Sequence, residues 1–220
     1  LAEITTACNL ECPMCYAVSG PGGQHWPYET YTDVVDRFVR QEGSPDVLQL
    51  SGGEPTIHPE FLRMVKYAHS KPIQVVMVNT NGIRLARDRR FAEEVARVGA
   101  FLYFQFDGFE EATHLAIRGK DLRADKEKAL ARCAELGITV ALVAAIERGV
   151  NEHEVGAIVR YGLEHPAVKS VVFQPVTHAG RHVEFDPMQR LTNADVMHLL
   201  AAQLDDTVRV SDFVPVPCCF

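Results

Sequence analysis

Short runs rich in β-branched and aromatic residues alternate with helix-period runs from one end of the chain to the other. A parallel sheet with crossover helices is the architecture that accepts this rhythm. The pattern predicts strands at 1–6, 47–51, 73–80, 101–107, 139–146 and 170–177. It predicts helices at 29–40, 59–70, 88–98, 122–136, 152–164 and 193–203, each with apolar residues at i, i+3 and i+4 on one face. Asn151 reads as the cap of the helix entered at Glu152, and Gly137 as the stop of the helix ending at Leu136. Such βα units can curl into a partial barrel or lie flat as a doubly wound sheet, and periodicity does not choose between them. In either form, the chemistry belongs at the carboxyl ends of the strands.

The unusual residues cluster at those ends. "CNLECPMC" follows strand one and "SGGEP" strand two; "NTNG" ends strand three, "FDG" strand four and "ERGVN" strand five; "THAGR" follows strand six. A chain of 220 residues with 47% hydrophobic and 23% charged residues forms one sizeable core without a disulfide framework. Its net charge of −7 lacks the basic footprint of a nucleic-acid binder. The local basic run Arg84, Arg87, Arg89 and Arg90 reads as a solvated loop and helix start, or as an anion-binding rim. No apolar run approaches the ~20 residues of a membrane span, and no signal peptide is visible.

Cys8, Cys12 and Cys15 are three of six cysteines, placed in a single loop. A structural zinc site needs four closed ligands and would require a fourth donor from elsewhere. A cubane cluster normally takes four thiolates, so three would leave one iron with an open position. Buried apolar cysteines, a zinc knuckle and a redox pair of Cys12 with Cys15 are the competing explanations. In strand four, alternation sets Leu102, Phe104 and Phe106 on one face and Tyr103, Gln105 and Asp107 on the other. Gln105 and Asp107 are therefore expected to face something polar inside the barrel, or to satisfy one another.

"CNLECPMC" followed by "SGGEP", then "TNG", "FQFDG", "RGVN" and "QPVTHAGR" in order, resembles the radical S-adenosylmethionine (radical SAM) superfamily. The strings at 48–56, 81–86, 104–108, 148–151, 174–176 and 212–218 are similar to one branch of it, which contains the tetraether lipid synthases and the enzymes that methylate the pterin of methanopterin. The resemblance implies an α/β fold, a partial (β/α)6 TIM-like barrel. It implies a 4Fe-4S cluster on Cys8, Cys12 and Cys15 whose open iron is chelated by S-adenosyl-L-methionine (SAM), with no catalytic residue beyond the cluster ligands.

The SAM site implied by the resemblance draws on Met14, Gly52, Gly53, Glu54, Thr80, Asn81, Gln105, Asp107, Arg148, Val172 and Gln174. Gly52 and Gly53 let a ligand approach the backbone, Arg148 pairs with the methionine carboxylate or lies on the surface, and Val172 lines adenine. Many members carry an aromatic residue where this chain has Met14. His178 and Arg181, at the mouth, are candidates for substrate. Cys218 and Cys219 are candidate ligands of an auxiliary iron-sulfur cluster, while Cys133 reads as a buried small hydrophobe.

The expected activity is radical C–H activation, with lipid carbon–carbon coupling first and methylation of a pterin-like ring as the alternative. A non-catalytic zinc or iron-sulfur module is the rival from another class; it predicts a fourth ligand near the cysteines and no nucleoside pocket. An electron donor such as flavodoxin or ferredoxin is implied. So is a reducing, cytoplasmic setting, in which a lipid substrate would bring the enzyme to the inner membrane face. Residues 1–220 are expected to be a single radical SAM core cut from a longer chain with metal-binding regions on both sides.

Overall fold

The computed structural model describes residues 1–182, 186–205 and 207–215. Its strands are β1 (Ala2–Thr5), β2 (Val47–Gly52), β3 (Val75–Thr80), β4 (Phe101–Gln105), β5 (Val140–Ile146) and β6 (Val168–Pro175). All neighbouring pairs are parallel, and the spatial order follows the chain order from β1 to β6. A doubly wound sheet reverses its strand order at a switch point. This sheet does not reverse, and β1 and β6 are its two free edges. The fold is the open, partial barrel.

The helices are α1 (Tyr28–Glu42), α2 (Phe61–His69), α3 (Ile83–Arg87), α4 (Arg89–Val98), α5 (Glu111–Arg118), α6 (Arg123–Leu136), α7 (Val155–Glu164) and α8 (Asn193–Gln203). Leu50, Val78, Leu102, Phe104, Leu142 and Ile146 are buried in one cluster with Phe61, Met64, Phe91, Val95 and Leu130 from the helices. Each large side chain so buried contributes about 1.5–3 kcal/mol. Buried parallel strands usually read as continuous apolar runs. Here Gln49, Asn79, Tyr103 and Gln105 interrupt them, and the last three line a cavity on the inner face of the sheet.

The sequence pattern misses α3 and α5. α3 is a five-residue turn directly behind Asn81 and Gly82. α5 buries Thr113 and His114 along with Ile117, so its inner face carries no apolar period. Gly137 ends α6 with φ of 68°, as expected. Asn151 differs from expectation: its side chain makes no cap bond. It donates instead to the carbonyls of Asp107 and Ala145, at 2.8 Å each, and accepts from the Glu147 N–H at 3.0 Å. It thereby fastens the ends of β4 and β5 together. Three of the four arginines of the basic run are already engaged: Arg87 pairs with Asp125, Arg89 with Glu93 and Glu135, and Arg84 donates to the Thr56 carbonyl.

Candidate active site

Beyond β1 the chain forms a loop that folds back on itself. The Thr6 N–H donates to the Gln24 carbonyl and the Cys8 N–H to the Gly20 carbonyl, both at 2.9 Å. Cys8, Cys12 and Cys15 are free thiols that line a single cavity of about 690 Å³. Burial pushes the Cys8 thiol up to about 11, the Leu10 N–H pulls it back, and the charge of Glu54 adds to the rise. Arg181, a candidate for substrate, braces this loop instead. It donates to the carbonyls of Cys12 at 3.2 Å and Ser19 at 2.6 Å, and its own N–H reaches the Cys15 carbonyl at 3.1 Å.

The turn after β2 sits against the cysteine loop. A Cβ on Gly52 would lie 2.0 Å from the Thr5 carbonyl oxygen, and one on Gly53 would lie 2.2 Å from that of Ala7. Both glycines are therefore demanded by the approach of the backbone of β1, and both also line the cavity. The Gly53 N–H is engaged by the Thr5 carbonyl at 2.7 Å.

Glu54 differs from expectation, because its side chain does not face the cavity. It is buried and accepts from the Thr56 N–H at 3.1 Å, the Thr56 hydroxyl at 2.6 Å, the Thr80 hydroxyl at 2.8 Å and the Asn81 N–H at 2.7 Å. Burial pushes its pKa up while these bonds oppose the rise. Thr80 is likewise turned toward Glu54 and away from the cavity. Asn81 does line it, with Nδ2 donating to Asn9 Oδ1 at 2.7 Å, so strand three is tied directly to the cysteine loop.

The far wall comes from β4 to β6. Tyr103, Gln105 and Gln174 face the cavity, Gln174 Nε2 donating to the Tyr103 hydroxyl at 3.0 Å. Gln105 Oε1 is buried with no hydrogen-bond partner among the described residues. Asp107 does not reach the cavity, nor does it pair with Gln105. Its carboxylate holds Arg118 through two bonds of 2.6 Å and accepts from the Ala145 N–H at 3.1 Å. The Arg118 guanidinium lines the cavity beside Cys12.

Sequence reasoning missed Arg118, Asn79 and Lys126. Arg118 had one signal, a basic residue directly before the helix-stopping Gly119. Asn79 lines the cavity, bonded to Gln49 and, at 3.0 Å, to Ser51 Oγ. Lys126 is fully buried and donates to the Asn81 carbonyl at 2.8 Å; burial and the Arg118 charge bring its pKa down to about 8.

Other expected positions fall outside the cavity. Arg148 pairs with Asp195 at 3.7 Å and donates to the Gln189 carbonyl at 3.0 Å, at the surface. Val172 is not among the residues that line the cavity; the β6 residues that do are Phe173, Gln174 and Pro175. His178 borders a separate small pocket. Met14 does line the main cavity. Cys218 and Cys219 lie outside the described residues.

The sequence profile described as "Radical SAM superfamily" matches residues 2–162. The chain belongs to the radical SAM superfamily. It is 35% identical to the 7,8-dihydro-6-hydroxymethylpterin dimethyltransferase of Methanocaldococcus jannaschii over 98% of its own length and 44% of that protein. It therefore spans less than half of that relative. Among solved structures, Streptococcus suis SuiB superposes with a TM-score of 0.69 at 13% identity, covering 92% of this chain and 46% of SuiB. A structure described as native anSMEcpe with bound AdoMet gives 0.68 at 16% identity, covering 93% and 59%. These last two establish the shared fold.

The cofactors of the superfamily are a 4Fe-4S cluster and SAM, and the geometry accommodates both. The groups of donor atoms that converge within 4.8 Å among the described residues do not include the three thiols. That spread suits a multi-iron cube and not a single zinc ion, whose thiolates sit about 2.3 Å from the metal. Among the described residues no His, Asp or Glu joins the thiols in such a group, and a nucleoside-sized cavity opens beside them. The rival zinc module predicts the reverse on both counts. Among the described residues, no helix is long and apolar enough to cross a membrane.

Proposed function

We propose that Cys8, Cys12 and Cys15 hold the cluster and that the adjoining cavity binds SAM and presents it to a substrate C–H bond, which is converted to a new carbon–carbon bond. The observation that carries this is the convergence of three free thiols and one buried guanidinium on a single cavity. The cluster held by Cys8, Cys12 and Cys15 would supply the electron for reductive cleavage of SAM, and SAM would supply the group that takes up the substrate hydrogen.

The protein's own groups bind and orient. Arg118, held in place by Asp107, offers a charged fork to a carboxylate. An ammonium, which only donates, would be met by carbonyl oxygens of the Ser51–Gly53 turn, whose residues line the cavity. Leu10, Met14 and Phe173 give an apolar wall for adenine. Gln105, Asn79 and Gln174 are left for ribose hydroxyls or substrate.

For substrate, the Asn79, Gln105 and Gln174 side chains in the cavity wall and the pterin dimethyltransferase relative together favour methylation of a pterin-like ring. Lipid coupling, which the sequence places first, is the second arm of the test.

The full-length protein is reconstituted anaerobically with iron and sulfide, reduced with SAM present, and assayed for 5′-deoxyadenosine. A C12A variant should lose the cluster absorption and the product, whereas C133A, altering a buried thiol remote from the loop, should retain both. Failure of wild type carrying a complete cluster to yield 5′-deoxyadenosine refutes the proposal. Incubation with a reduced pterin in one arm and a diether lipid in the other, followed by mass spectrometry, decides the substrate class.

A further inference from the structure

A second constellation of metal-binding side chains stands at the same end of the barrel, apart from the cysteines. Glu147 follows β5 directly, and His178 and His182 lie in the loop after β6. One ligand atom from each falls within 4.8 Å of the other two. His182 Nε2 is 2.7 Å from Glu147 Oε1, and the two imidazole rings stand 4.7 Å apart at 35°. The side chains are sheltered, with His182 23% and Glu147 17% exposed.

Both supporting segments are fixed. Asn151 holds the Glu147 backbone at 3.0 Å, and Arg181, between the two histidines, is bound at three points to the cysteine loop. Gly180 beside it has φ of 68°, and a Cβ there would meet the carbonyl oxygens of Cys15 and Tyr16 at 2.4 Å.

We propose that Glu147, His178 and His182 bind a divalent transition ion, zinc or ferrous iron. Two imidazoles and one carboxylate are the donor set such ions prefer, whereas magnesium and calcium select oxygen ligands. Zinc holds these donors at about 2.0–2.2 Å, so small rotations of side chains already this close complete the site. Three protein ligands leave a position open. Beside it lies a cavity of about 150 Å³ bordered by Glu147, His178, Arg148, Asp186 and Arg190, with room for water or an anionic group. The trio of exposed Glu110 and His153 with buried Glu154 makes no comparable site. There the Glu154 carboxylate is already used, accepting from the Phe109 N–H and the Thr113 hydroxyl at 2.5 Å each.

The test uses the untagged full-length protein with its cysteine-bound cluster loaded, so that the thiolates are occupied. Anaerobic titration with Co²⁺ is followed by its visible ligand-field bands and by calorimetry, neither of which involves SAM. One Co²⁺ per chain, beyond any bound to H178A/H182A double-variant protein, is expected, and Zn²⁺ should displace it. H178A, H182A and the near-isosteric E147Q should each weaken binding about tenfold or more, with H153A unchanged. The cluster absorption of each variant confirms that it is folded. Absence of Co²⁺ binding, or binding equally tight in all three variants, overturns the proposal whatever the outcome for SAM cleavage.

Discussion

Arg118 and Asp107 meet through two parallel hydrogen bonds of 2.6 Å, Nε to Oδ2 and Nη2 to Oδ1, with the carboxylate fully buried and the guanidinium 12% exposed. Removing one partner of a buried pair leaves the other charge uncompensated, at a cost of about 3–5 kcal/mol. D107N should therefore lower the unfolding free energy by an amount in that range in urea melts. R118K keeps the charge but loses the fork, so it should fold better than D107N while binding SAM less tightly than wild type.

The same pair gives a pH dependence. Burial alone would raise the Asp107 pKa, but the Arg118 charge and hydrogen bonds outweigh it and hold the carboxyl below the usual range. In the window between the folded and unfolded values the unfolded chain binds more protons, so stability rises with pH there. Asp107 thus contributes its full stabilisation above the ordinary Asp pKa of about 3.9 and loses it as pH falls through the lower folded value. Acid titrations of wild type and D107N should show this part of the slope vanish in the variant.

Glu54 collects four donors from two strand ends, and E54A would bury the N–H groups of Thr56 and Asn81 without partners. Each orphaned donor costs about 1–3 kcal/mol, so E54A should destabilise by roughly 2–6 kcal/mol. E54Q must turn its amide toward a donor on one side and should fall between E54A and wild type. An E54Q as unstable as E54A would mean that charge, not donor counting, governs this site.

Two nearby glycines separate space from sequence motif. G53A would force a Cβ to within 2.2 Å of the Ala7 carbonyl oxygen, which is backbone and cannot swing aside, whereas a Cβ on Gly22 meets nothing within 4 Å. G53A should lose stability by about 1–3 kcal/mol or more. It should also load less iron, since Ala7 precedes Cys8. G22A should do neither. Equal iron content in the two variants would show that the β1 backbone relaxes around the added methyl.

The strand and helix order, the thiolate loop and the SGG turn could be read from the chain, because each rests on local periodicity or spacing. What could not be read depends on partners distant in sequence. Glu54 and Thr80 are polar like the cavity residues, and only the parallel pairing of β2 with β3 shows that they face one another. Arg118 lies on a helix whose buried face is Thr113, His114 and Ile117, so hydrophobic pattern concealed both the helix and its last residue. Arg181 looked like a mouth residue. Its partners Cys12 and Ser19 are more than 160 positions away.

Gln105 gives the sharpest division between structural and binding roles. Its Oε1 is buried in the cavity wall with no partner among the described residues, so it adds nothing to folding that Leu of similar size could not replace. Q105L should leave urea stability within about 0.5 kcal/mol of wild type, or raise it. A hydrogen bond to a bound ligand contributes about 0.5–1.5 kcal/mol net, which is a loss of roughly two- to tenfold in affinity. Calorimetric titration of SAM into cluster-loaded Q105L should show that loss, if the amide meets the cofactor; unchanged SAM affinity with a raised KM for substrate would assign it to substrate instead. A fall in stability with both affinities intact would make Gln105 a structural residue, and the polar wall of β4 would no longer be an argument for where ligand sits.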